Sequence, residues 1–273
     1  MHGLAYAKVN LTLEITGKRP DGYHELISVM QTISLADDLS FEPAPVLSLE
    51  CDVPELANED NLVLKAARLL GQTGRFVLRK RMPFAAGLGG GSSDAALALR
   101  LIDEACHLHL PPERIVEAGA KLGSDVPFFL YGGTALVGGR GERVMPLPDL
   151  QARWLVLLNP GVPLSTAAVY GALDPAEYVA SPRSQYWTGQ DVPPLVNTLE
   201  AAALRLEPRI AAARARLVEA GLPAVLLSGS GPTMFGLAAD HAEAERVAKA
   251  TGGIAARFVG RTDALALDYS ASA

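Results

Sequence analysis

One glycine-rich stretch, Pro83–Asp94 (PFAAGLGGGSSD), constrains this chain more than any other feature of its sequence. It follows a strand-like run, Arg75–Arg81, and precedes an alanine- and leucine-rich helix predicted over about residues 92–106. Because glycine has no Cβ, the backbone N–H groups of such a loop can turn inward and approach an anion closely. The positive end of the following helix points at the same place, so the stretch predicts a cradle for a polyphosphate.

The spacing separates this loop from two other nucleotide motifs. It lacks the Gly-Lys-Ser/Thr of a Walker A loop, and Ser92 stands where the dinucleotide fingerprint has its last glycine. Ser92 and Ser93 can cap the helix, bind phosphate oxygens or hold a magnesium ion. A tight turn capped by serine is the plainer alternative. Four glycines in the five residues Gly87–Gly91 exceed what a turn needs, so we favour phosphate binding.

Two charged residues stand in apolar surroundings. Lys8 lies within the strand-like run Ala7–Leu11, and Asp125 follows a predicted helix and precedes the apolar run Val126–Val137, which we predict to be a hairpin of two strands. A carboxylate at the C-terminal end of a helix is poorly placed, because that end is already negative. Each residue alone can be structural, Lys8 as a charge on an edge strand. Together they form a pair of opposite sign that fits a functional role.

Two further elements are ambiguous by themselves. Ser228–Thr233 (SGSGPT) joins two predicted strands, and it can either close over a ligand or serve only as a hairpin turn. His24 follows Tyr23 after a turn at Arg19–Gly22; this pair can be ordinary surface or can stack on a flat base.

Composition narrows the class of partner. The chain has 273 residues and a net charge of −6, which argues against binding to nucleic acid through a basic surface. No apolar run approaches the roughly 18 residues that a membrane span needs, and the N-terminus does not resemble a signal peptide. Two cysteines cannot build a disulfide framework. We therefore expect a cytoplasmic protein that binds a small molecule, without nucleic-acid or membrane partners; the sequence leaves the oligomeric state open.

Strands and helices are mixed without strict alternation, which favours an α+β fold with two lobes. The proline-containing stretch Pro146–Asp149 is the best linker candidate. We accordingly predict an N-terminal lobe over residues 1–150, which carries the glycine-rich loop, and a C-terminal lobe over residues 151–273.

The loop resembles the ATP loop of the GHMP kinase superfamily, which includes galactokinase, homoserine kinase and mevalonate kinase. Further motifs occur in the order found in that superfamily and span nearly the whole chain. The Asp-Gly-Tyr-His element resembles, more narrowly, the branch that acts on a cytidyl substrate. The segments that carry the resemblance are Ala7–Leu11, Arg19–Leu26, Glu59–Leu62, Gly87–Ala96, Leu122–Phe128 and Ser228–Gly231.

The resemblance implies a ribosomal-S5-like N-terminal lobe and a ferredoxin-like C-terminal lobe, with the active site between them. It implies ATP and Mg²⁺ as cofactors, Asp125 as the base and Lys8 as its charged partner, and it leaves the metal ligands unassigned. The implied ATP-binding residues are Pro83, Phe84, Ala85, Ala86, Gly87, Leu88, Gly89, Gly90, Gly91, Ser92 and Ser93. The implied substrate-binding residues are Asn10, Tyr23, His24, Thr166 and Tyr170.

Two alternatives remain open beside this interpretation. A homoserine- or mevalonate-type kinase shares the glycine-rich loop, but Tyr23 and His24 argue against it. A non-catalytic nucleotide-binding module is the other, and the presence of both Lys8 and Asp125 argues against that. The chain departs from the family pattern at Ala85, where glycine is common, at the bulky Phe84, and at Tyr6, which replaces a common proline; residues 174–193 match poorly.

Overall fold

A computed structural model describes residues 1–268 of the chain and gives an α+β protein with two sheets, as the mixed pattern of strands and helices predicts. The strands in these residues are β1 (His2–Asn10), β2 (Thr12–Lys18), β3 (His24–Pro43), β4 (Ser48–Cys51), β5 (Gly74–Arg79), β6 (Thr134–Gly139), β7 (Arg143–Pro146), β8 (Trp154–Leu158), β9 (Val196–Asn197), β10 (Val225–Leu227), β11 (Met234–Ala238), β12 (Ile254–Arg257) and β13 (Leu267–Asp268). The α-helices there are α1 (Leu62–Leu69), α2 (Gly90–Ala105), α3 (Pro112–Leu122), α4 (Val126–Tyr131), α5 (Thr166–Gly171), α6 (Leu199–Leu206), α7 (Arg209–Glu219), α8 (His241–Thr251) and α9 (Arg261–Ala264).

The larger sheet is built around β3, a strand of 20 residues. It pairs antiparallel with β1, β2, β5 and β6, so four strands from distant parts of the chain meet along it. Helix α2 packs on β1 and β3 and also contacts α1, α3 and α4. Its buried positions are mostly alanine and leucine, and the small alanines allow this close approach. The glycine-rich loop is thereby fixed between β5 and the best-buried helix of the N-terminal half.

The smaller sheet has the strand order β10-β11-β8-β12, and α7 and α8 pack on it. Its three pairings are all antiparallel. Among the described residues, no helix is long and apolar enough to cross a membrane.

The two halves share strands and a core. β9 and β13, both from the C-terminal half, pair with β2 and β1 of the larger sheet. One apolar cluster contains Leu13 and Phe76 together with Leu199 and Ile210. The predicted division at residue 150 remains a prediction, but these contacts show that the halves pack as one body.

The predicted hairpin over residues 126–137 is wrong in its first half. Val126–Tyr131 is helix α4, and only Thr134–Gly139 is a strand. Pro127 lies in the first turn, where its missing N–H costs nothing, and Gly132, with φ of 62°, follows the last residue. A six-residue apolar run has no clear period, so the packing of α4 on α2 and α3 decides its conformation.

Candidate active site

A cleft of about 470 Å³ lies where the glycine-rich loop meets the turn Ser228–Thr233, which we call the second glycine turn. Its wall is formed by β1, the loop and the start of α2, the β6–β7 turn, α5 and the turn between β10 and β11. Residues from both halves of the chain therefore line one concave site, as the resemblance implies.

The glycine-rich loop has the backbone that an anion cradle requires. Gly87 and Gly89 have φ values of 74° and 76°, in the left-handed region that favours glycine. Gly89 is the N-cap of α2, so the helix begins at Gly90, slightly earlier than predicted. The first-turn N–H groups of α2, which have no partner within the helix, border the cleft here.

The second glycine turn packs directly on the first loop. Ser228 Oγ donates a hydrogen bond to the carbonyl oxygen of Gly87 at 3.0 Å, and the Thr233 N–H donates to that of Ala86 at 3.4 Å. A Cβ at Gly87 would lie 2.3 Å from the Ser228 carbonyl oxygen, a distance that no side chain tolerates. The turn is therefore part of the site as well as a connection between strands.

Nine of the eleven predicted ATP-loop residues line the cleft. Leu88 is instead buried in the core beneath the loop, and Ser93 Oγ donates to the carbonyl oxygen of Tyr6 at 2.6 Å. The side chain of Phe84 is 75% exposed at the rim. The nine lining residues are Pro83, Phe84, Ala85, Ala86, Gly87, Gly89, Gly90, Gly91 and Ser92.

Lys8 and Asp125, far apart in sequence, meet beside this loop with Nζ and Oδ2 3.9 Å apart. Lys8 is 3% exposed, and its ammonium donates to Asn10 Oδ1 at 2.7 Å and to the Gly87 carbonyl oxygen at 2.8 Å. Burial lowers the pKa of Lys8, and the charge of Asp125 opposes that shift. The ammonium thus connects a predicted substrate residue, the predicted base and the nucleotide loop.

The sequence argument for Asp125 was right that this residue follows a helix, because α3 ends at Leu122. It was wrong about what comes next. Asp125 immediately precedes α4, at the N-cap position, and its side chain is 37% exposed. The positive N-terminal end of α4 favours a carboxylate there and acts against the negative end of α3. The error follows from the conformation predicted for residues 126–131.

The predicted substrate residues fall into two groups. Asn10, Thr166 and Tyr170 line the cleft, and Thr166 Oγ1 lies 2.8 Å from Ser230 Oγ. Tyr23 and His24 lie beside this lining: the His24 ring centroid is 5.2 Å from that of Tyr170. The Tyr23 side chain is 51% exposed. These rings extend the cleft on the side away from the loop.

Sequence reasoning missed four charged residues at the site. Arg140 lines the cleft and stacks on Tyr23, with its guanidinium carbon 4.9 Å from the ring centroid. Lys80 and Asp94 also line it, and Lys80 bonds to both Asp94 and the buried Asp37. No local pattern in the sequence connects Lys80 to Asp37.

Burial raises the pKa of Asp94 to about 7, with Lys80 acting against the shift and the neighbouring Asp37 adding to it. Burial also acts to lower the pKa of Lys80, but the two carboxylates outweigh it and that pKa lies above its ordinary value. Two carboxylates share one ammonium, so one of them retains a proton more readily than an isolated aspartate.

Among the described residues, no group of three His, Cys, Asp or Glu side chains could hold a metal ion. Mg²⁺ commonly keeps several waters and binds through one or two protein oxygens together with substrate phosphates. The Ser92 hydroxyl, which lines the cleft at the start of α2, is a protein oxygen that could bind such an ion.

Comparison with known proteins agrees with this geometry. Family models match for the GHMP kinases N terminal domain over residues 61–133 and for the GHMP kinases C terminal domain over residues 189–251. The chain is 44% identical over 262 residues to the 4-diphosphocytidyl-2-C-methyl-D-erythritol kinase of Pelotomaculum thermopropionicum, covering 90% of this chain and 91% of that protein. Identity to the same kinase of Dehalococcoides mccartyi is 42%, with coverage of 89% and 91%.

Solved structures give the same picture. A crystal structure of 4-(cytidine 5'-diphospho)-2C-methyl-D-erythritol kinase matches with a TM-score of 0.83 at 38% identity, covering 95% of this chain and 99% of that chain. A crystal structure of L. major mevalonate kinase in complex with R-mevalonate matches with a TM-score of 0.69 at 17% identity, covering 95% of this chain and 96% of that chain. At 17% identity, the match to mevalonate kinase shows only that the two proteins share a fold.

Proposed function

The chain belongs to the 4-diphosphocytidyl-2-C-methyl-D-erythritol kinases of the GHMP kinase superfamily, and from this premise we propose how its site works. It is a kinase of isoprenoid precursor biosynthesis. In the reaction we assign to it, the γ-phosphoryl group of ATP passes to the 2-hydroxyl of the erythritol moiety of the cytidyl substrate.

The observation that carries this proposal is the meeting of Lys8 and Asp125 beside the glycine-rich loop. An alcohol is a poor nucleophile at neutral pH, and a carboxylate within reach can accept its proton as the phosphoryl group transfers. Asp125 is half-exposed to the cleft and so can reach such a hydroxyl. Lys8, held by Asn10 and Gly87, places a positive charge beside Asp125 and offsets negative charge that develops in the transition state.

The loop supplies the nucleotide side of this site. Backbone N–H groups at Gly89–Ser92 and the N-terminal end of α2 face the cleft and would bind the ATP phosphates. A magnesium ion that arrives with ATP would neutralise part of the phosphate charge, and Ser92 Oγ is the protein oxygen we assign to it.

The other end of the cleft supplies the substrate side. We assign Tyr23 and His24 to the cytosine base, because aromatic rings offer a flat stacking surface. Asn10, Thr166 and Tyr170 lie between these rings and the loop and would hold the part of the substrate that carries the hydroxyl. Arg140 stacks on Tyr23 and is suited to the diphosphate, since a guanidinium binds phosphate oxygens in a forked geometry.

A coupled ADP-release assay tests the proposal directly. The purified protein should release ADP with 4-diphosphocytidyl-2-C-methyl-D-erythritol and not with mevalonate or homoserine at equal concentration. Release with either of those two and none with the cytidyl substrate would overturn the narrow assignment and leave only the superfamily. No release with any of the three, despite ATP binding, would favour a non-catalytic nucleotide-binding module.

We also assign the reaction to the cytoplasm. Cys51 and Cys106 are both free thiols, which fits a reducing compartment. ATP and the cytidyl substrate are both small and charged, and the enzyme would encounter both in the cytoplasm.

A further inference from the structure

A buried ion cluster beside the nucleotide loop has no role in the reaction described above. Asp37 lies on β3, Lys80 directly after β5, and Asp94 in the second turn of α2. Their side chains are 0%, 7% and 4% exposed, respectively. Removing three charges from water is costly, and their mutual attraction compensates only when the geometry is good. A cluster of this kind therefore calls for an explanation.

The cluster holds the chain where it enters the loop. Asp37 Oδ1 accepts hydrogen bonds from the backbone N–H groups of Arg81 at 2.6 Å and Met82 at 2.8 Å. These are the two residues before Pro83, where the glycine-rich loop begins. The other oxygen of Asp37 accepts from Lys80 Nζ.

The same cluster holds the chain where it leaves the loop. Lys80 Nζ donates to Asp94 Oδ2 at 2.7 Å, and Asp94 belongs to the helix that follows the loop. A Cβ built on Gly90 would lie 3.4 Å from Lys80 Nζ, so the ammonium packs against the first residue of α2. Both ends of the loop are thus connected by hydrogen bonds to the same buried cluster.

We propose that Asp37 is a positioning residue for the nucleotide: with Lys80 and Asp94 it forms a brace that fixes the two ends of the glycine-rich loop before ATP binds. The inference rests on the proposed assignment of this loop to ATP. Glycine-rich backbone loses much conformational freedom when it is ordered. If folding has already ordered the loop, binding does not have to supply that free energy, and affinity rises.

Asp37 is the informative residue because it is fully buried and does not line the cleft. Substitution of Asp37 can therefore change the affinity for ATP only by changing the position of Lys80, the loop or α2. A merely structural Asp37 would lower stability and the active fraction and leave the Kd for ATP and the KM for both substrates unchanged. If Asp37 is part of a brace, its substitution raises the Kd for ATP selectively.

The test compares two substitutions at this position in the full-length protein. Asp37→Ala removes the acceptor for both N–H groups and the partner of Lys80, whereas Asp37→Asn keeps an acceptor for the backbone. In variants shown by circular dichroism to be folded, calorimetric titration with ATP should give a Kd raised at least about tenfold for Asp37→Ala and less for Asp37→Asn. The KM for the cytidyl substrate should stay within about twofold.

Asp38→Ala is the matched control, because this neighbouring carboxylate is partly exposed and pairs with the side chains of His2 and, at 4.0 Å, Arg81, without bonding to the loop backbone or Lys80. Its Kd for ATP should equal that of the wild type. If Asp37→Ala does not fold, Asp94→Ala replaces it, since that change releases the helix end of the brace.

A folded Asp37→Ala or Asp94→Ala variant that binds ATP like the wild type would overturn the inference, and so would an equal rise in Kd for ATP and KM for the cytidyl substrate. Failure of the wild type itself to bind ATP would instead overturn the proposed function, and the brace with it.

Discussion

At the scale of single residues, Lys8 shows how burial fixes a functional charge. A buried ammonium is costly unless it is paired and hydrogen-bonded. Two of its three N–H groups are used by Asn10 and the Gly87 carbonyl oxygen, and Asp125 lies at 3.9 Å. These hydrogen bonds fix the ammonium beside the glycine-rich loop, where it faces Asp125.

The catalytic pair gives the first prediction. Asp125→Asn keeps size and most hydrogen bonding but removes the proton acceptor, so kcat should fall by about 10²–10⁴-fold while both substrates still bind. Lys8→Met should also lower kcat, and the double variant should lose much less than the product of the two single losses. Steady-state kinetics measures all three, and near-normal turnover in Asp125→Ala would contradict the assignment.

The second prediction concerns the base of the substrate. Stacking of a base on an aromatic ring contributes about 1–3 kcal/mol, so His24→Ala should raise the KM for the cytidyl substrate by about 5- to 150-fold and change the KM for ATP far less. His241→Ala is the control, because that histidine stacks on Trp154 beside the smaller sheet. A larger effect on ATP would move His24 to the nucleotide side.

The pKa of Asp94 gives a prediction for stability. It is raised from an ordinary 3.8 to about 7, first by burial, so the folded protein binds more protons than the unfolded chain between these values. The stabilising contribution of Asp94 to the free energy of unfolding is fully present below about pH 4 and is lost as the pH rises through 7. Denaturant unfolding should therefore show Asp94→Asn gaining stability relative to the wild type from about pH 4 to 7, by at most about 1.4 kcal/mol per pH unit. A difference that is flat with pH would refute the shift.

At the scale of elements, sequence reasoning succeeded where a signal is local and failed where packing decides. The glycine-rich loop, the strand before it and the helix after it were predictable, because the glycine and serine residues mark the turn between them. The six apolar residues of α4 have no clear period, so the sequence favoured a strand. Asp37, Lys80 and Asp94 each look ordinary alone, and they meet only because β3 pairs with β5 and α2 packs on β3.

Two adjacent glycines of the loop, Gly89 and Gly90, differ in how much space a side chain would have. A Cβ at Gly89 would lie 2.6 Å from the Phe129 ring, and its φ is 76°, so Gly89→Ala should destabilise the fold. A Cβ at Gly90 meets only ordinary contacts and borders the cleft. Gly90→Ala should therefore keep the thermal midpoint within a few degrees and weaken ATP binding. Equal stability of the two variants would contradict this difference.

At the scale of the whole molecule, the C-terminal half completes the sheet of the N-terminal half. β9 and β13 join the larger sheet, and the apolar cores draw on residues of both halves. We expect one cooperative unfolding transition, with far-ultraviolet circular dichroism and tryptophan fluorescence changing together. Two separate transitions would show that the halves are independent units. Residues 1–150 alone should accordingly lack a cooperative transition.

The contact between the two glycine turns has a consequence for how related sequences can be recombined. Gly87 and the Ser228 carbonyl leave no room between them, and the donors of one turn serve the carbonyl oxygens of the other. A chimaera that takes the loop from one homologue and the turn from another would combine two segments whose backbones need not fit each other at this contact. We therefore expect a chimaera to keep its activity only when both segments come from the same homologue, although about half of the chain separates them.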